Sequence, residues 1–268
     1  MGGEVSRTQL FQRLNDPIDR EAAVRFAAYL ARRLDHEPSA YITGRREFYG
    51  LDFEVTPAVL IPRPETETLV EAAIELAGNF SPLSPSPRAE RGRTNPGQTS
   101  IADIGTGSGC VAIALASALP DATICALDAS PAALEVAKRN ASRHGVEKRI
   151  VFKESQLLAG LEAPVDLIVA NLPYVKTADL AALPPEIRDH EPRLALDGGP
   201  DGLDVIRALL AQAPSHVRRG GAVCLEFGDD QEAALIALAA RAFVHGRVLT
   251  RPDLGGRPRV LVIETPPS

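Results

Sequence analysis

From residue 101 onward, short apolar segments alternate with segments of helical spacing, and this alternation limits the folds open to the chain. The apolar segments cover residues 101–104, 123–127, 150–152, 166–170, 221–227, 247–249 and 259–263. Helical spacing separates them over residues 110–118, 131–144, 204–217 and 230–242. Strands that alternate with helices favour right-handed crossovers. We therefore predict an α/β fold whose mainly parallel, seven-stranded sheet carries helices on both faces.

The residues before this region predict a smaller N-terminal unit. Residues 19–34 have helical spacing with Asp19 as the N-cap, and their apolar stripe consists of Ala23, Phe26, Ala27, Leu30 and Leu34. Residues 47–55 predict two short strands that turn at residues 50–52, and residues 65–77 return to helical spacing.

Two domains follow from these patterns. Residues 1–64 form a short helical segment plus a β-hairpin, to which we assign substrate docking, and residues 65–268 form the larger α/β domain. Within the latter, residues 80–100 are rich in Pro, Ser, Gly and Arg, which predicts a flexible surface insertion.

Composition and charge argue against several classes of protein. The formal net charge is −6, aromatic residues make up 4% and Trp is missing, which disfavours a broad surface for nucleic acid. No apolar run approaches the roughly 20 residues needed to cross a bilayer. Cys110, Cys125 and Cys224 lie in apolar segments and fit no zinc motif, which predicts buried thiols in a reducing cytoplasm. We expect a cytoplasmic monomer that binds no nucleic acid, membrane or metal.

A glycine-rich turn follows the first apolar segment of the sheet. Residues 105–109, Gly-Thr-Gly-Ser-Gly, lie between a predicted strand and a predicted helix, and Asp128 ends the next strand. Glycines permit positive φ and a close approach to a ligand, and a carboxylate at this place can accept hydrogen bonds from both ribose hydroxyls of an adenosine-bearing ligand. A turn that serves only tight packing is the alternative. The third glycine comes one residue earlier than in dinucleotide-binding proteins. The pattern resembles that of class I methyltransferases, which implies a Rossmann-like fold and S-adenosylmethionine.

A second motif follows the apolar segment 166–170. Asn171-Leu172-Pro173-Tyr174 is similar to the N-P-P-Y motif of methyltransferases that act on planar nitrogens. An amide nitrogen is a poor nucleophile, so two acceptors aimed at its N–H bonds would orient it and stabilise the developing positive charge. The Asn171 side-chain oxygen and the Leu172 carbonyl are the candidate acceptors, with Tyr174 as an apolar wall. Leu172 replaces a proline and so has a free φ, although Pro173 still favours an extended backbone before it. An ordinary Asn-x-Pro turn is the alternative.

Further segments resemble the peptide chain release factor glutamine methyltransferases. They are residues 37–44, 46–50, 61–67, 191–192, 198–199 and 201–203. That family methylates N5 of the glutamine in the Gly-Gly-Gln loop of bacterial class I release factors. The resemblance therefore implies this acceptor, S-adenosylmethionine as cofactor and release factors as protein partners.

The resemblance also implies a role for each matching residue. The residues implied to bind cofactor are Gly105, Thr106, Gly107, Ser108, Gly109, Asp128, Gln156, Leu157 and Asn171. The catalytic and substrate-binding residues are Asn171, Leu172, Pro173 and Tyr174. The family usually has an acidic residue at Gln156, whose amide oxygen can still accept from an adenine amino group. For Arg63, Glu65 and Glu67 we favour structural contacts over catalysis.

Three alternatives remain at this point. A glutamine methyltransferase of a ribosomal protein shares the second motif, and an adenine-N6 methyltransferase of nucleic acid uses the same acceptor geometry. The latter should carry basic strips or aromatic platforms for a flipped base. A protein that binds cofactor without catalysis is disfavoured by the intact Asn171, Pro173 and Tyr174. The N-terminal helical region is shorter than the family's usual bundle, which leaves the docking mode open.

Overall fold

The N-terminal part of the chain forms helices and a hairpin ahead of the main sheet. The computed structural model describes residues 7–80 and 98–267, and its first elements are α1 (Arg7–Gln12), α2 (Arg20–Leu34), α3 (Ser39–Thr43), β1 (Arg45–Phe48), β2 (Leu51–Glu54) and α4 (Glu67–Phe80). Asp19 caps α2, as predicted, because its carboxylate accepts a hydrogen bond of 2.7 Å from Ala22 N. None of the residues of α2 is buried, and Phe26 and Leu34 of its apolar stripe are 63% and 74% exposed.

The hairpin turns one residue earlier than predicted. Phe48 of β1 pairs with Leu51 of β2, so Tyr49 and Gly50 alone form the turn. Both have positive φ, 52° and 71°, as two-residue turns require if their twist is to match that of the strands. The Tyr49 N–H donates to Glu67 Oε1 at 2.9 Å, which helps to hold a non-glycine residue in this conformation.

The main sheet has seven strands within the described ranges, in agreement with the prediction. They are β3 (Ser100–Ile104), β4 (Thr123–Asp128), β5 (Ile150–Glu154), β6 (Val165–Ala170), β7 (Val217–Glu226), β8 (Arg247–Pro252) and β9 (Pro258–Glu264). Their order across the sheet is β5-β4-β3-β6-β7-β9-β8, and β9 alone runs opposite to the other six strands. The helices after β3 are α5 (Cys110–Ala118), α6 (Pro131–Arg143), α7 (Pro185–Arg188), α8 (Asp204–His216) and α9 (Glu232–Ala242).

The sheet separates two apolar cores. Alternate residues of a strand point to opposite faces, and in β6 Leu167 and Val169 lie in one core while Ile168 and Ala170 lie in the other. The first core contains α4, α5 and the hairpin residue Phe53, and the second contains α8 and α9. The helices therefore cover both faces, and the hairpin packs into the same core as the sheet.

Three element boundaries and the cysteine prediction need correction. A 3₁₀ turn, Pro64–Thr66, precedes α4, so the α-helix begins at Glu67 rather than at residue 65 and continues past residue 77. Residues 81–97 of the predicted insertion lie outside the described residues. The insertion cannot extend to residue 100, because Ser100 begins β3 and its N–H donates to Asp166 at 2.9 Å. Of the cysteines, only Cys224 is buried; the other two are half-buried. Among the described helices, none combines the length and apolar character needed to cross a bilayer.

Candidate active site

A cavity of about 460 Å³ lies at the carboxyl ends of β3, β4, β5 and β6. The chain passes from β3 outward to β4 and β5, then returns to β6 on the other side of β3. Ligands bind at such a switch point because the loops diverge there and leave a crevice. The predicted site residues that line the cavity are Gly105, Thr106, Gly107, Ser108, Asp128, Gln156, Leu157, Asn171, Leu172 and Pro173. Gly109 and Tyr174 are not part of this lining.

Asp103 organises the glycine loop from below. Its side chain is 1% exposed, and Oδ2 accepts hydrogen bonds from Thr106 Oγ1 at 2.7 Å and from Ala112 N at 3.1 Å. Burial raises the pKa of Asp103 to about 7, although both hydrogen bonds oppose this shift. Because one partner lies in the loop and the other in α5, Asp103 fixes the loop against the start of the helix.

The three glycines of the loop meet different needs. Their φ angles are 72° at Gly105, 56° at Gly107 and 81° at Gly109. A Cβ on Gly109 would lie 3.0 Å from Ile113 Cδ1 and 3.1 Å from Ala137 Cβ, so this glycine permits packing of α5 on α6. A Cβ on Gly107 would meet only a backbone oxygen at 3.9 Å, so this glycine keeps the backbone open towards the cavity.

Asp128 joins the end of β4 to the same loop. Oδ2 accepts from Gly107 N and Oδ1 from Ser130 N, each at 2.8 Å. Burial raises the pKa of Asp128, and the hydrogen bonds from backbone N–H groups lower it in part. A carboxylate has about four lone-pair positions. Each oxygen therefore keeps capacity for a ligand hydroxyl while it holds the loop.

The segment after β5 forms the next part of the wall. Ser155 Oγ accepts from Gly160 N at 2.7 Å and donates to Leu157 O at 3.0 Å, which closes a tight turn with Leu157 at a φ of 52°. Gln156 precedes this residue on the cavity wall, and its side chain is exposed. The turn thus presents one amide and one apolar side chain to a ligand.

The donor set of the cavity fits an adenosine-bearing cofactor. Asp128 supplies acceptors, while the open backbone at Gly107 supplies room for close approach. Ser108 Oγ is buried in the wall. Burial raises the pKa of the Cys110 thiol, and the Ser108 hydroxyl lowers it in part, so this hydroxyl has the thiol as a neighbour. Leu157 and Ala133 give the cavity an apolar side.

Asn171 follows β6 and is held from the side by the turn before α4. Its Nδ2 donates to Thr66 Oγ1 at 3.0 Å, and Thr66 is 2% exposed. The oxygen and nitrogen of a carboxamide diverge from the same carbon, so a bond from Nδ2 to Thr66 turns Oδ1 away from Thr66. Leu172 is buried, and its Cδ2 lies 3.1 Å from where a Cβ on Gly105 would be. The first glycine of the glycine loop, Gly105, therefore allows the loop and the Asn171 motif to touch.

Tyr174 lies beside the cavity and contacts a buried carboxylate. Its hydroxyl donates to Glu226 Oε1 at 3.4 Å, and burial raises the pKa of Tyr174. Glu226 ends β7 and is 1% exposed, and burial raises the pKa of this group to about 7. Sequence reasoning missed Glu226 and Thr66. A charged residue inside a predicted buried strand was the available signal, since such residues are seldom fully buried without a partner.

Glycines 198 and 202 allow a second loop to pack on the Asn171 motif. A Cβ on Gly198 would lie 2.8 Å from Pro173 O, and one on Gly202 would lie 2.4 Å from Tyr174 O. The same Tyr174 carbonyl accepts a hydrogen bond of 2.9 Å from Nε2 of Gln231, the residue before α9. The backbone after Asn171 is therefore fixed on several sides by parts of the chain distant in sequence.

The segment 61–67 is tied to Glu191. Glu191 is buried, pairs with Arg63 and accepts a hydrogen bond of 3.2 Å from Ile61 N. Glu67 binds the hairpin turn, and Glu65 is exposed. Arg63 and Glu67 thus make the structural contacts predicted for them.

Comparison with known proteins agrees with this geometry. A family model of the PrmC N-terminal domain matches residues 4–44, and one of ribosomal protein L11 methyltransferase (PrmA) matches residues 91–186. A release factor glutamine methyltransferase of Moorella thermoacetica is 44% identical over 95% of this chain and 84% of its own length. One of Geobacter sulfurreducens is 41% identical over 88% of this chain and 77% of its own length. The structure of a ribosomal protein L11 methylase from Lactobacillus delbrueckii subsp. bulgaricus shares the fold, with a TM-score of 0.53 and 22% identity over 79% of this chain and 84% of that one.

The sheet order, the glycine loop and Asn171 at the switch point define a class I methyltransferase. The extent and identity of the matches place the chain more narrowly. It belongs to the release factor glutamine methyltransferase family, which confirms the resemblance seen in the sequence.

Proposed function

We propose that this protein transfers a methyl group from S-adenosylmethionine to N5 of the glutamine in the Gly-Gly-Gln loop of bacterial class I release factors. The observation that carries this proposal is the position of Asn171 on the cavity wall, with its Nδ2 bound by Thr66. The family membership supports the same acceptor.

The acceptor amide needs orientation more than it needs a base. Its nitrogen shares its lone pair with the carbonyl, so two acceptors on its N–H bonds lower the barrier by positioning it and by stabilising the positive charge that develops. Asn171 Oδ1 and the Leu172 carbonyl are the proposed acceptors. None of the hydrogen bonds between described residues uses the Leu172 carbonyl. The methylated nitrogen is acidic, so it can lose its proton to water.

The other side of the cavity is the proposed cofactor site. When bound, S-adenosylmethionine supplies an electrophilic methyl group on its sulfonium. The residues proposed to hold it are Gly105, Thr106, Gly107, Ser108, Gly109, Asp128, Gln156, Leu157 and Asn171. Asp128 accepts from the ribose hydroxyls, and Gln156 accepts from the adenine amino group. Gly109 acts at a distance, since it packs under the loop rather than facing the cavity.

Proline 173 and Tyr174 complete the acceptor side. Pro173 lines the cavity, whereas the Tyr174 ring packs against the second core beside it. Because Tyr174 lies outside the cavity lining, the predicted wall against the acceptor amide is not retained, and we propose that residues 1–64 dock the release factor in the cytoplasm. The exposed apolar stripe of α2 is consistent with a docking role.

Mass spectrometry of a purified release factor tests the proposal. The release factor is incubated with the enzyme and methyl-labelled S-adenosylmethionine, next to a variant with Gly-Gly-Asn in place of Gly-Gly-Gln. We expect one added methyl on the glutamine and none on the asparagine. Ribosomal protein L11 and RNA serve as parallel acceptors, and methylation of either one in place of the release factor would refute the proposal.

A further inference from the structure

We infer that Thr66 and Glu226 are positioning residues that hold Asn171 in the one amide orientation able to accept from the substrate glutamine. This inference rests on the proposed function and extends it to two residues outside both sequence motifs of the site. Thr66 lines the cavity next to Asn171, whereas Glu226 does not line it. Thr66 acts through Asn171, and Glu226 acts through Thr66.

The contact between Thr66 and Asn171 is direct. Asn171 Nδ2 donates to Thr66 Oγ1 at 3.0 Å, and Thr66 is 2% exposed in the turn Pro64–Thr66. A hydroxyl has one hydrogen and two lone pairs. Because Thr66 Oγ1 accepts from Asn171, its own hydrogen is available for a different acceptor.

Glu226 is the acceptor within reach. It is 1% exposed at the end of β7, the strand next to β6. Burial raises the pKa of Glu226, and the Thr66 hydroxyl lowers it in part. Glu226 Oε1 accepts from the Tyr174 hydroxyl, whereas Oε2 is buried and has no hydrogen-bond partner among the described residues.

The charged groups around Glu226 come from several elements. Glu65 before α4 raises the pKa of Glu226, and Arg259 of β9 lowers it. Cys110 of α5 lies near enough for Glu226 to raise the pKa of its thiol. Arg259 Nη1 donates to Phe227 O and Nη2 to Asp229 Oδ1, and Nε lies 3.5 Å from Asp253 Oδ2. The Thr66 hydroxyl is therefore the group left to donate to Glu226 Oε2, beside the Tyr174 hydroxyl on Oε1.

The consequence for the acceptor site follows from the symmetry of a carboxamide. If the Asn171 side chain rotated by half a turn about its last bond, its NH₂ group would face the substrate amide, and two donors would oppose each other. Because the Thr66 hydroxyl gives its hydrogen to Glu226, only its lone pairs face Asn171. These lone pairs can accept a hydrogen bond from Nδ2 but cannot donate one to Oδ1. The order Asn171, Thr66, Glu226 thus selects the productive orientation of the Asn171 amide.

The test compares isosteric variants in steady-state kinetics with a release factor, at saturating S-adenosylmethionine. Thr66→Val keeps the shape and removes the hydroxyl, so kcat should fall about 10- to 100-fold. The KM for release factor and the calorimetric Kd for S-adenosylmethionine should stay within about 2-fold of the wild type, since neither the docking surface nor the cofactor loop is changed. Thr66→Ser restores the hydroxyl and should return kcat to within about 3-fold. Glu226→Gln keeps an acceptor oxygen for Thr66 and should lower kcat less than Thr66→Val does.

Thr265→Val is the matched control. Thr265 is also buried, and its hydroxyl binds Arg218 O at 2.8 Å beside the amino-terminal end of β7, away from the cavity. We expect a lower melting temperature in this variant and an unchanged kcat. Wild-type kcat in Thr66→Val, or an equal loss in Thr66→Val, Thr66→Ser and the control, would overturn the inference alone. A wild-type enzyme that leaves the release factor unmethylated would overturn the proposed function and the inference with it.

Discussion

Replacing Asp128 by alanine should weaken cofactor binding and leave the fold in place. The change removes the carboxylate that the cavity offers to ribose hydroxyls, and it frees the N–H groups of Gly107 and Ser130, which it now holds at 2.8 Å each. Hydrogen bonds to a charged group contribute about 1.5–3 kcal/mol. We therefore expect the Kd for S-adenosylmethionine to rise about 10- to 150-fold. Both freed N–H groups lie beside the cavity, where water can reach them, so stability should change less than affinity does.

Isothermal titration calorimetry measures this effect directly, with the melting temperature of each variant as a check on folding. Glu154→Ala is the matched control, because Glu154 ends the neighbouring strand opposite Asp128 and is exposed outside the cavity lining. Its Kd should equal that of the wild type. An unchanged Kd in a folded Asp128→Ala protein would show that the carboxylate faces no ligand hydroxyl.

Four further changes test the acceptor loop and the buried Asp103 beneath the glycine loop. Asn171→Ala should slow single-turnover methylation of a release factor about 10²–10³-fold, because it removes a preorganised acceptor. Leu172→Pro keeps the carbonyl of residue 172 and fixes its φ, so this variant should stay active in the same assay. Full activity of Asn171→Ala would refute the proposed acceptor geometry. Gly202→Ala would place a Cβ 2.4 Å from Tyr174 O, at a residue whose φ is 77°. The melting temperature should therefore fall clearly. A wild-type melting temperature would contradict the close approach of the two loops. Asp103→Asn keeps one oxygen for both hydrogen bonds of Asp103 Oδ2 and removes an ionisation whose pKa burial raises to about 7. Its free energy of unfolding, relative to the wild type, should therefore rise by about 3 kcal/mol as pH increases from about 4 to about 7, and denaturant titrations that show a constant difference would exclude the shift.

The strands of the main sheet could be predicted because each is a short apolar run between turn residues. The predicted segment 123–127 became Thr123–Asp128, and 166–170 became Val165–Ala170. The hairpin turn was missed by one residue. Its position depends on the bond from Tyr49 N to Glu67, a contact between elements that no local pattern contains. The apolar stripe of α2 was visible in the sequence, but periodicity alone could not show that the stripe stays exposed.

The sequence by itself determined which residues stand at the ends of the strands, and hence the positions of the glycine loop, Asp128 and Asn171 around one crevice. The reason is topological, since parallel strands bring their carboxyl ends to the same edge of a sheet. Only the tertiary structure decided what orients Asn171, because Thr66 lies 105 positions away and reaches Asn171 through the packing of α4. Glycine 202 under the Tyr174 carbonyl and Glu226 beside Thr66 were settled in the same way. Such contacts depend on the angles at which helices and loops pack on the sheet, and no periodicity in the chain encodes those angles.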